Sequence, residues 1–178
     1  ALSAPIRYKF ILGEHQRVRI DAFLNPGDPS YEGNFQVIQS MTAIGSGGFF
    51  GKGLFNGTIS QYGFLPVTES DFIFAVLGEE FGFVGMAVVI ILFFLFLSRI
   101  YSISKHAKDF YGTLVTTGFM GMLFYQILQN IGMTIGLMPV TGVTLPFVSY
   151  GGSSMLTTMM IIALIMNIYS KSHSSFAY

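Results

Sequence analysis

The carboxylates of residues 69–80 offer the clearest chemistry in this sequence. Asp71 is followed at once by the apolar residues 72–77, and Glu79 and Glu80 stand just before a long uncharged segment. An ionisable group among apolar neighbours at a membrane surface is a candidate for function, and a carboxylate there can accept a proton as a general base. Glu79 and Glu80 can equally well be acids that favour a helix N-terminus. Asp71 is therefore the leading candidate for a catalytic carboxylate.

A glycine-rich run at residues 44–53 lies upstream of these acids and carries a single cation, Lys52. The run lacks the strand–loop–helix order and the terminal Lys-Ser/Thr of a P-loop, so a nucleotide site is not expected. Its glycines permit tight turns and the close approach of helices, while its backbone N–H groups could also bind an anion. Lys52 either contacts such an anion or extends its ammonium group to the lipid headgroups.

A helix-breaking, hydroxyl-rich turn at residues 145–154 separates two apolar segments. Pro146 removes a backbone donor and disfavours helix at the residue before it. Gly151 and Gly152 permit backbone angles that are closed to other residues. Irregular backbone at membrane depth persists only where it is buried in protein or lines a wet cavity. We therefore expect this turn to be buried or to face such a cavity.

Three apolar segments are long enough for helices that cross a bilayer, which need about 20 residues each. They cover approximately residues 81–99, 111–137 and 153–170. The loop of residues 100–110 and the C-terminus carry lysines, so the positive-inside rule predicts that both are cytoplasmic. Residues 1–79 and 138–152 are then predicted to face the outside of the cell.

The sequence predicts an all-α, polytopic integral membrane protein. Of its 178 residues, 52% are hydrophobic and only 10% are charged, against about 25% charged residues in soluble domains. Residues 1–79 are predicted to form a large extracellular loop region of short amphipathic or re-entrant helices, and residues 80–178 a membrane region with the three spans. Because the chain begins at Ala1 without an initiator methionine, we expect a fragment of a longer protein.

Charge and cysteine content exclude two classes of function. The net charge is zero and no run of Lys or Arg is present, which argues against nucleic acid as a partner. The chain has no cysteine, so disulfides and thiolate metal sites are excluded.

Several ordered motifs together resemble one protein family. They are Gln36 to Ser40, Ala43 to Gly48, Leu65-Pro66, Asp71 to Phe74, Glu79-Glu80-x-Gly82, Gln126 to Asn130, Pro139-x-Thr141-Gly142 and Leu145 to Ser154. In this order they resemble the SEDS family (shape, elongation, division and sporulation), whose members are integral membrane glycosyltransferases that polymerise peptidoglycan from lipid II. The sequence departs from the family pattern at Val67, where Glu is usual, and at Glu69-Ser70, where His-Thr is usual. Residues 52–58 favour the rod-shape branch over the division branch.

The resemblance implies roles for the matching positions. The family's essential aspartate corresponds to Asp71, and we expect it to be the base of an inverting transfer in which undecaprenyl diphosphate leaves. The positions implied for substrate binding are Gln39, Ser40, Ser46, Gly47, Gly48, Lys52, Glu79, Glu80, Ser149, Gly151 and Gly152. The leaving diphosphate needs positive charge, for which Lys52, Arg17 and Arg19 are candidates. No dedicated metal site is predicted, and any Mg²⁺ or Mn²⁺ would be shared with the substrate diphosphate.

The resemblance also implies partners and a location. The substrates are lipid II and the glycan linked to undecaprenyl diphosphate, the protein partner is a class B penicillin-binding protein that acts as transpeptidase, and the location is the bacterial cytoplasmic membrane. Two other functions stay open. A lipid II flippase is one, because a broken helix with polar residues at depth also suits a substrate path, and a non-catalytic membrane scaffold of the cell-wall machinery is the other.

One face of the second apolar segment carries three polar side chains, Gln126, Gln129 and Asn130. For these side chains, contact between helices is favoured over contact with substrate.

Overall fold

The computed structural model describes residues 14–25, 32–57 and 71–173, and within these ranges the regular structure is entirely helical. The helices are α1 (Glu14–Leu24), α2 (Glu32–Gly47), α3 (Ile73–Lys105), α4 (Phe110–Thr134) and α5 (Gly152–His173). The predicted all-α class is therefore confirmed. The motif residues 65–70 and the side chain of Arg17 lie outside the described part of the chain.

Helix α3 is interrupted at Gly82, whose backbone angles (φ 66°, ψ −163°) are not helical. A short helix of residues 73–81 and a long one of residues 83–105 therefore meet end to end. The long part rises about 1.5 Å per residue, enough to cross a hydrocarbon core of about 30 Å. The predicted span at 81–99 lies almost entirely inside it, but the helix continues to Lys105 because residues 99–105 contain neither glycine nor proline.

Helix α4 ends earlier than the sequence predicts. The predicted limit at residue 137 is wrong, because the helix stops at Thr134. Gly136 then adopts a φ of +75°, and the N–H of Leu137 bonds to the carbonyl of Gly132 at 2.8 Å. A glycine in the left-handed region ends many helices in this way. The hydropathy of residues 135–138 conceals this stop.

Two helices of the described part have the length and the apolar composition of membrane spans, namely α3 and residues 152–172 of α5. Together with the helical fold they are consistent with a polytopic membrane protein. With 25 residues, α4 is also long enough, but its polar residues Gln126, Gln129 and Asn130 reduce its hydropathy. The crossing of the bilayer by α4 stays a prediction, and the sidedness of the loops depends on it.

Three apolar clusters hold these helices together. The first contains Ala43, Phe72 and Ala75, the second Phe74, Phe93, Ile127 and Leu145, and the third Ile100, Leu123, Ile161 and Ile165. The first two clusters use side chains that directly follow Asp71. The start of α3 is therefore packed against α2 on one side. On the other side it packs against α4 and the hydroxyl-rich turn of residues 145–154, called the polar turn below.

Candidate functional site

Asp71 lies half-buried directly before α3, and its backbone is tied to α4. The fully buried Asn130 donates from Nδ2 to the carbonyl of Asp71 at 2.9 Å and to the carbonyl of Val143 at 2.7 Å. Because two carbonyls can only accept, the amide nitrogen must face them. One side chain thus joins the backbone at the start of α3 to the loop that follows α4.

The side chain of Asp71 faces the loop of residues 139–145. A Cβ atom placed on Gly142 of this loop would lie 3.4 Å from Asp71 Oδ2, and the φ of Gly142 is +71°. Gln129 also holds the loop to α4, because its Nε2 donates to the carbonyl of Pro139 at 3.0 Å. A residue without a side chain leaves space beside the carboxylate oxygen.

Two buried polar atoms close to this loop have no hydrogen-bond partner among the described residues. They are Oδ1 of Asn130 and Oγ1 of Thr141. Such an atom costs about 1–3 kcal/mol when it stays unpaired, so water, a ligand or another segment of the protein is expected to pair with it. Asn130 bonds to the backbone of Asp71, and Thr141 precedes the glycine beside its carboxylate. Both atoms are candidates to contact a bound substrate.

A buried ion pair lies at the other end of residues 73–81. Lys52 Nζ is 2.9 Å from Glu79 Oε1, and the side chain of Glu79 is completely buried whereas that of Lys52 is 28% exposed. Oε1 of Glu80 accepts a hydrogen bond from the N–H of Phe55 at 3.2 Å. Both acids directly precede the break at Gly82, where the long helix of residues 83–105 begins, and a capping role towards that helix stays a prediction. Contact of either acid or of Lys52 with substrate stays a prediction.

The glycine-rich run brings the loop after α2 into backbone contact with α3. A Cβ on Gly47 would overlap the carbonyl of Gly78, and a Cβ on Gly51 would overlap the carbonyl of Glu80. Gly48 has open space around it but a φ of +58°. The predicted use of these glycines for tight turns and close approach is confirmed. Binding of substrate by Gly47 and Gly48 stays a prediction.

The polar turn is closed by its own residues. Oγ of Ser149 accepts a hydrogen bond from the N–H of Leu145 at 2.7 Å. Between them Phe147 has a φ of +65°, which is uncommon for a bulky residue. Its ring packs edge-on against Phe96 with 5.5 Å between the centroids. The turn therefore holds a sparsely populated backbone conformation, a feature that clusters at functional sites.

Two cavities open beside this turn. One of about 500 Å³ extends from Ile73 to the predicted binding residues Ser149, Gly151 and Gly152. The other, of about 310 Å³, is lined by Gln126 and by hydroxyl groups of α5. Both are open hollows of the described surface, and a wet cavity at membrane depth stays a prediction. The larger cavity reaches a residue only two positions from Asp71.

The remaining predicted binding residues lie on α2. Oγ of Ser40 donates to the carbonyl of Thr134 at 2.7 Å and so links α2 to the end of α4. Oγ of Ser46 donates to the carbonyl of Ala43 at 2.8 Å within its own helix. Gln39 is half-buried. The bond of Ser40 thus stabilises the packing of two helices, that of Ser46 is local, and a role of these three side chains towards substrate stays a prediction.

The link between Asn130 and Asp71 is the feature that sequence reasoning missed. The interpretation of Asn130 as a contact between helices is confirmed, but its partner lies 59 residues away in the sequence. The available signal is a carboxamide in an apolar helix, which indicates a buried partner without identifying it. Within the described ranges no group of three acids or histidines is placed to hold a metal ion.

Comparison with known proteins supplies a family and several relatives. The family model of the FtsW/RodA/SpoVE cell cycle proteins matches residues 1–174. Peptidoglycan glycosyltransferase RodA of Treponema pallidum is 45% identical, over 90% of this chain and 37% of its own length. Stage V sporulation protein E of Bacillus subtilis is 42% identical over 96% of this chain and 44% of its own length. Peptidoglycan glycosyltransferase MrdB of Escherichia coli K12 is 42% identical over 93% of this chain and 45% of its own length. The chain thus spans less than half the length of these relatives.

Solved structures share the fold. A chain of a peptidoglycan synthase complex, described as coordinating polymerization and crosslinking, superposes with a TM-score of 0.73 at 34% identity, covering 97% of this chain and 46% of that one. An aspartate-to-alanine mutant of the rod shape determining protein RodA from Thermus thermophilus superposes with a TM-score of 0.58 at 34% identity, covering 75% of this chain and 40% of that one.

Proposed function

This chain belongs to the FtsW/RodA/SpoVE family of cell cycle proteins, and on that premise we propose that the protein of which it forms part is a peptidoglycan glycosyltransferase. It polymerises lipid II into glycan strands, and Asp71 is its catalytic base. The observation that carries this proposal is the position of Asp71. Its backbone is held by Asn130, its carboxylate lies beside Gly142, and a cavity of about 500 Å³ begins at Ile73.

Cell-wall elongation is the proposed process. The relative named RodA from Treponema pallidum is 45% identical to this chain, whereas three relatives named FtsW are 36–40% identical. This order agrees with the motif at residues 52–58, which favours the rod-shape branch.

The proposed reaction is an inverting displacement at the anomeric carbon of the growing glycan. The 4-hydroxyl oxygen of the incoming lipid II attacks that carbon while Asp71 takes the hydroxyl proton. The bond between the anomeric carbon and the diphosphate oxygen breaks, and undecaprenyl diphosphate leaves with the bonding electrons. The donor linkage is α and the product linkage is β, so a base is needed on the face opposite the leaving group. The proton then passes from Asp71 to solvent.

The leaving diphosphate needs positive charge, for which the described residues offer two candidate side chains, Lys52 and Arg19. Lys52 is already paired with Glu79, and Arg19 lies beside a small cavity between α1, α2 and the loop after α4. We propose that Mg²⁺ or Mn²⁺ enters with the substrate diphosphate, since such ions are commonly held through substrate phosphates. Bound there, the ion would neutralise charge that develops on the leaving oxygen.

Two apolar helices of the described part and the family match are consistent with a membrane location, and we propose that this is the bacterial cytoplasmic membrane. Residues 1–79 and 138–152 face outward, and residues 100–110 and the C-terminus face the cytoplasm. Lys105 and Lys108 support this orientation through the positive-inside rule. We propose a class B penicillin-binding protein as transpeptidase partner, because a structural relative belongs to a complex that coordinates polymerization and crosslinking.

A lipid II flippase is the second candidate, and the helix break at Gly82 is the observation that favours it. Broken helices form substrate sites in transporters. This alternative predicts lipid II movement across liposome membranes that survives the loss of Asp71, without polymer formation. A scaffold without catalytic activity predicts instead that Asp71→Asn has no effect.

Polymerisation of labelled lipid II by the full-length parent protein with its transpeptidase partner tests the proposal. We expect Asp71→Ala to insert normally and to lose activity at least about 100-fold, the usual contribution of a general base. Asp109→Ala is the matched control, because Asp109 is exposed and its side chain makes no capping hydrogen bond to α4. Parental activity in Asp71→Ala would show that the base lies elsewhere.

A further inference from the structure

The break at Gly82 is bridged by the loop that follows α2. Four backbone hydrogen bonds of 2.9–3.2 Å cross it, from Lys52 to Glu79, Gly53 to Glu80, Phe83 to Gly48 and Val84 to Phe49, with the donor named first. The loop therefore pairs with carbonyl and N–H groups that a broken helix leaves open. We call residues 47–53 together with residues 79–84 the glycine clasp.

The glycine clasp is a contact of backbone on backbone. A Cβ on Gly82 would overlap the backbone nitrogen of Gly51, and a Cβ on Gly51 would overlap the carbonyl of Glu80. Backbones packed this closely cannot move independently, because protein interiors have low compressibility and transmit strain. A shift of the loop therefore shifts the end of residues 73–81.

The Lys52–Glu79 ion pair lies inside the glycine clasp. Oε1 of Glu79 is 2.9 Å from Nζ of Lys52, and the two side chains differ in burial, with 0% of Glu79 and 28% of Lys52 exposed. Removal of one partner from a buried pair is costly because the other charge stays buried without its counterion, whereas removal of both can be nearly neutral. Loss of Lys52 should therefore do more harm than loss of the Glu79 charge, since Lys52 can reach solvent.

Residues 73–81 connect this pair to the proposed catalytic base. Glu79 follows Asp71 by eight residues, and the helical part from Ile73 to Glu79 rises about 9 Å. At the near end, Phe72 and Ala75 pack on Ala43 of α2, and α2 itself ends in the glycine clasp at Gly47. The short helix is thus fixed at both ends to the same neighbour.

We propose that the Lys52–Glu79 pair is a positioning element that locks the glycine clasp and thereby fixes residues 73–81 and the carboxylate of Asp71. This inference rests on the proposed glycosyltransferase function. It gives Lys52 a role towards Glu79 in place of the predicted role towards the substrate diphosphate. The two roles make opposite predictions for Glu79. A positioning Lys52 needs the Glu79 charge, whereas a diphosphate-binding Lys52 would be released by its removal.

A double-mutant cycle with Lys52→Met and Glu79→Gln separates these roles. The full-length protein with its partner is assayed for kcat and KM with labelled lipid II, and for its thermal unfolding midpoint. We expect Lys52→Met to lower kcat at least about tenfold and Glu79→Gln about threefold, each with KM within about twofold of the parent. The double variant should recover to the kcat of Glu79→Gln. Lys52→Arg keeps the charge and should retain at least about half of the parental kcat.

The controls make each outcome decisive. Lys108→Met removes a lysine that is exposed in the loop between α3 and α4 and should match the parent. A raised KM in Lys52→Met that the double variant shares would overturn the inference and assign Lys52 to the diphosphate. Parental kcat in both single variants also overturns it. If Lys52→Met does not fold, a lowered kcat with unchanged KM in both Glu79→Gln and the double variant supports the inference, and parental kcat in both overturns it. Asp71→Ala reports separately on the glycosyltransferase proposal.

Discussion

Replacement of Asn130 by leucine is the sharpest test of how the base is held. The change keeps the branching and the number of side-chain heavy atoms, replaces the amide by larger methyl groups, and removes the Nδ2 group that donates to the carbonyls of Asp71 and Val143. Two buried carbonyls then lose their donor, which costs about 1–3 kcal/mol each by the general scale and about 0.6 kcal/mol each by the average for membrane helices.

A compensating gain reduces the expected loss of stability. Oδ1 of Asn130 is buried without a partner among the described residues, so its removal returns part of the cost of burying it. We expect a net destabilisation of about 1–3 kcal/mol, which leaves the protein folded. Activity should fall further, because a misplacement of about 1 Å at a reacting group can cost about 100-fold in rate. The expected decrease in kcat is therefore about 10- to 100-fold, with KM little changed.

The assay combines lipid II polymerisation kinetics with thermal unfolding, both on the full-length protein with its partner. Asn130→Asp serves as a second variant, because a carboxylate donates to neither carbonyl and a neutral carboxyl group can donate to only one of them. Thr116→Val is the matched control on the same helix, since Thr116 is fully buried but lies far along α4 from the site. A lowered unfolding midpoint with kcat within twofold of the parent would refute the reasoning, because Asn130 would then support the fold without positioning Asp71.

Three further results are expected. Gly51→Ala should reduce the yield of folded protein and lower its unfolding midpoint, because its Cβ overlaps the carbonyl of Glu80, whereas Gly45→Ala, with open space around it, should behave as the parent. Gly142→Ala should lower the unfolding free energy by about 1 kcal/mol or more, because alanine is strained at the φ of +71°. It should also lower kcat, since the new methyl group contacts Asp71. An unchanged kcat would contradict the placement of Gly142 beside the carboxylate. Chelation with EDTA should abolish polymerisation reversibly, with recovery on Mg²⁺ or Mn²⁺ and no change in the unfolding midpoint, and full activity in EDTA would exclude a substrate-bound cation.

Local patterns in the sequence predict the helices but only part of their limits. The apolar run after Gly82 predicts a span because its length and composition suffice on their own. The stop of α4 at Thr134 could not be read from hydropathy, because residues 135–138 remain apolar. Gly136 ends the helix through a left-handed backbone angle, and other glycines of α4 leave the helix intact. Their sequence neighbourhoods do not distinguish the two cases.

The site was predictable as a set of residues, and its connections were not. The acid before an apolar run identifies Asp71, and a carboxamide in an apolar helix identifies Asn130 as a buried contact. Their hydrogen bond depends on how α3 packs against α4, which no local pattern specifies. The same holds for Lys52 and Glu79, 27 residues apart. Each has a plausible separate role in the sequence, and only the fold shows that they form one ion pair.

The segment from Asp71 to Gly82, at the proposed outer surface of the membrane, is held by polar contacts in addition to its apolar packing. Lipid tails are as apolar as leucine, so hydrophobic burial does little to fix the positions of helices in a bilayer. Those positions depend on close packing and hydrogen bonds. The chain supplies both kinds at the two ends of residues 73–81. Asn130 bonds to the backbone at the start, and the glycine clasp with its buried ion pair holds the end. A short helix held at both ends cannot tilt without breaking one attachment. The loss of either attachment should therefore reduce kcat while the other keeps the protein folded.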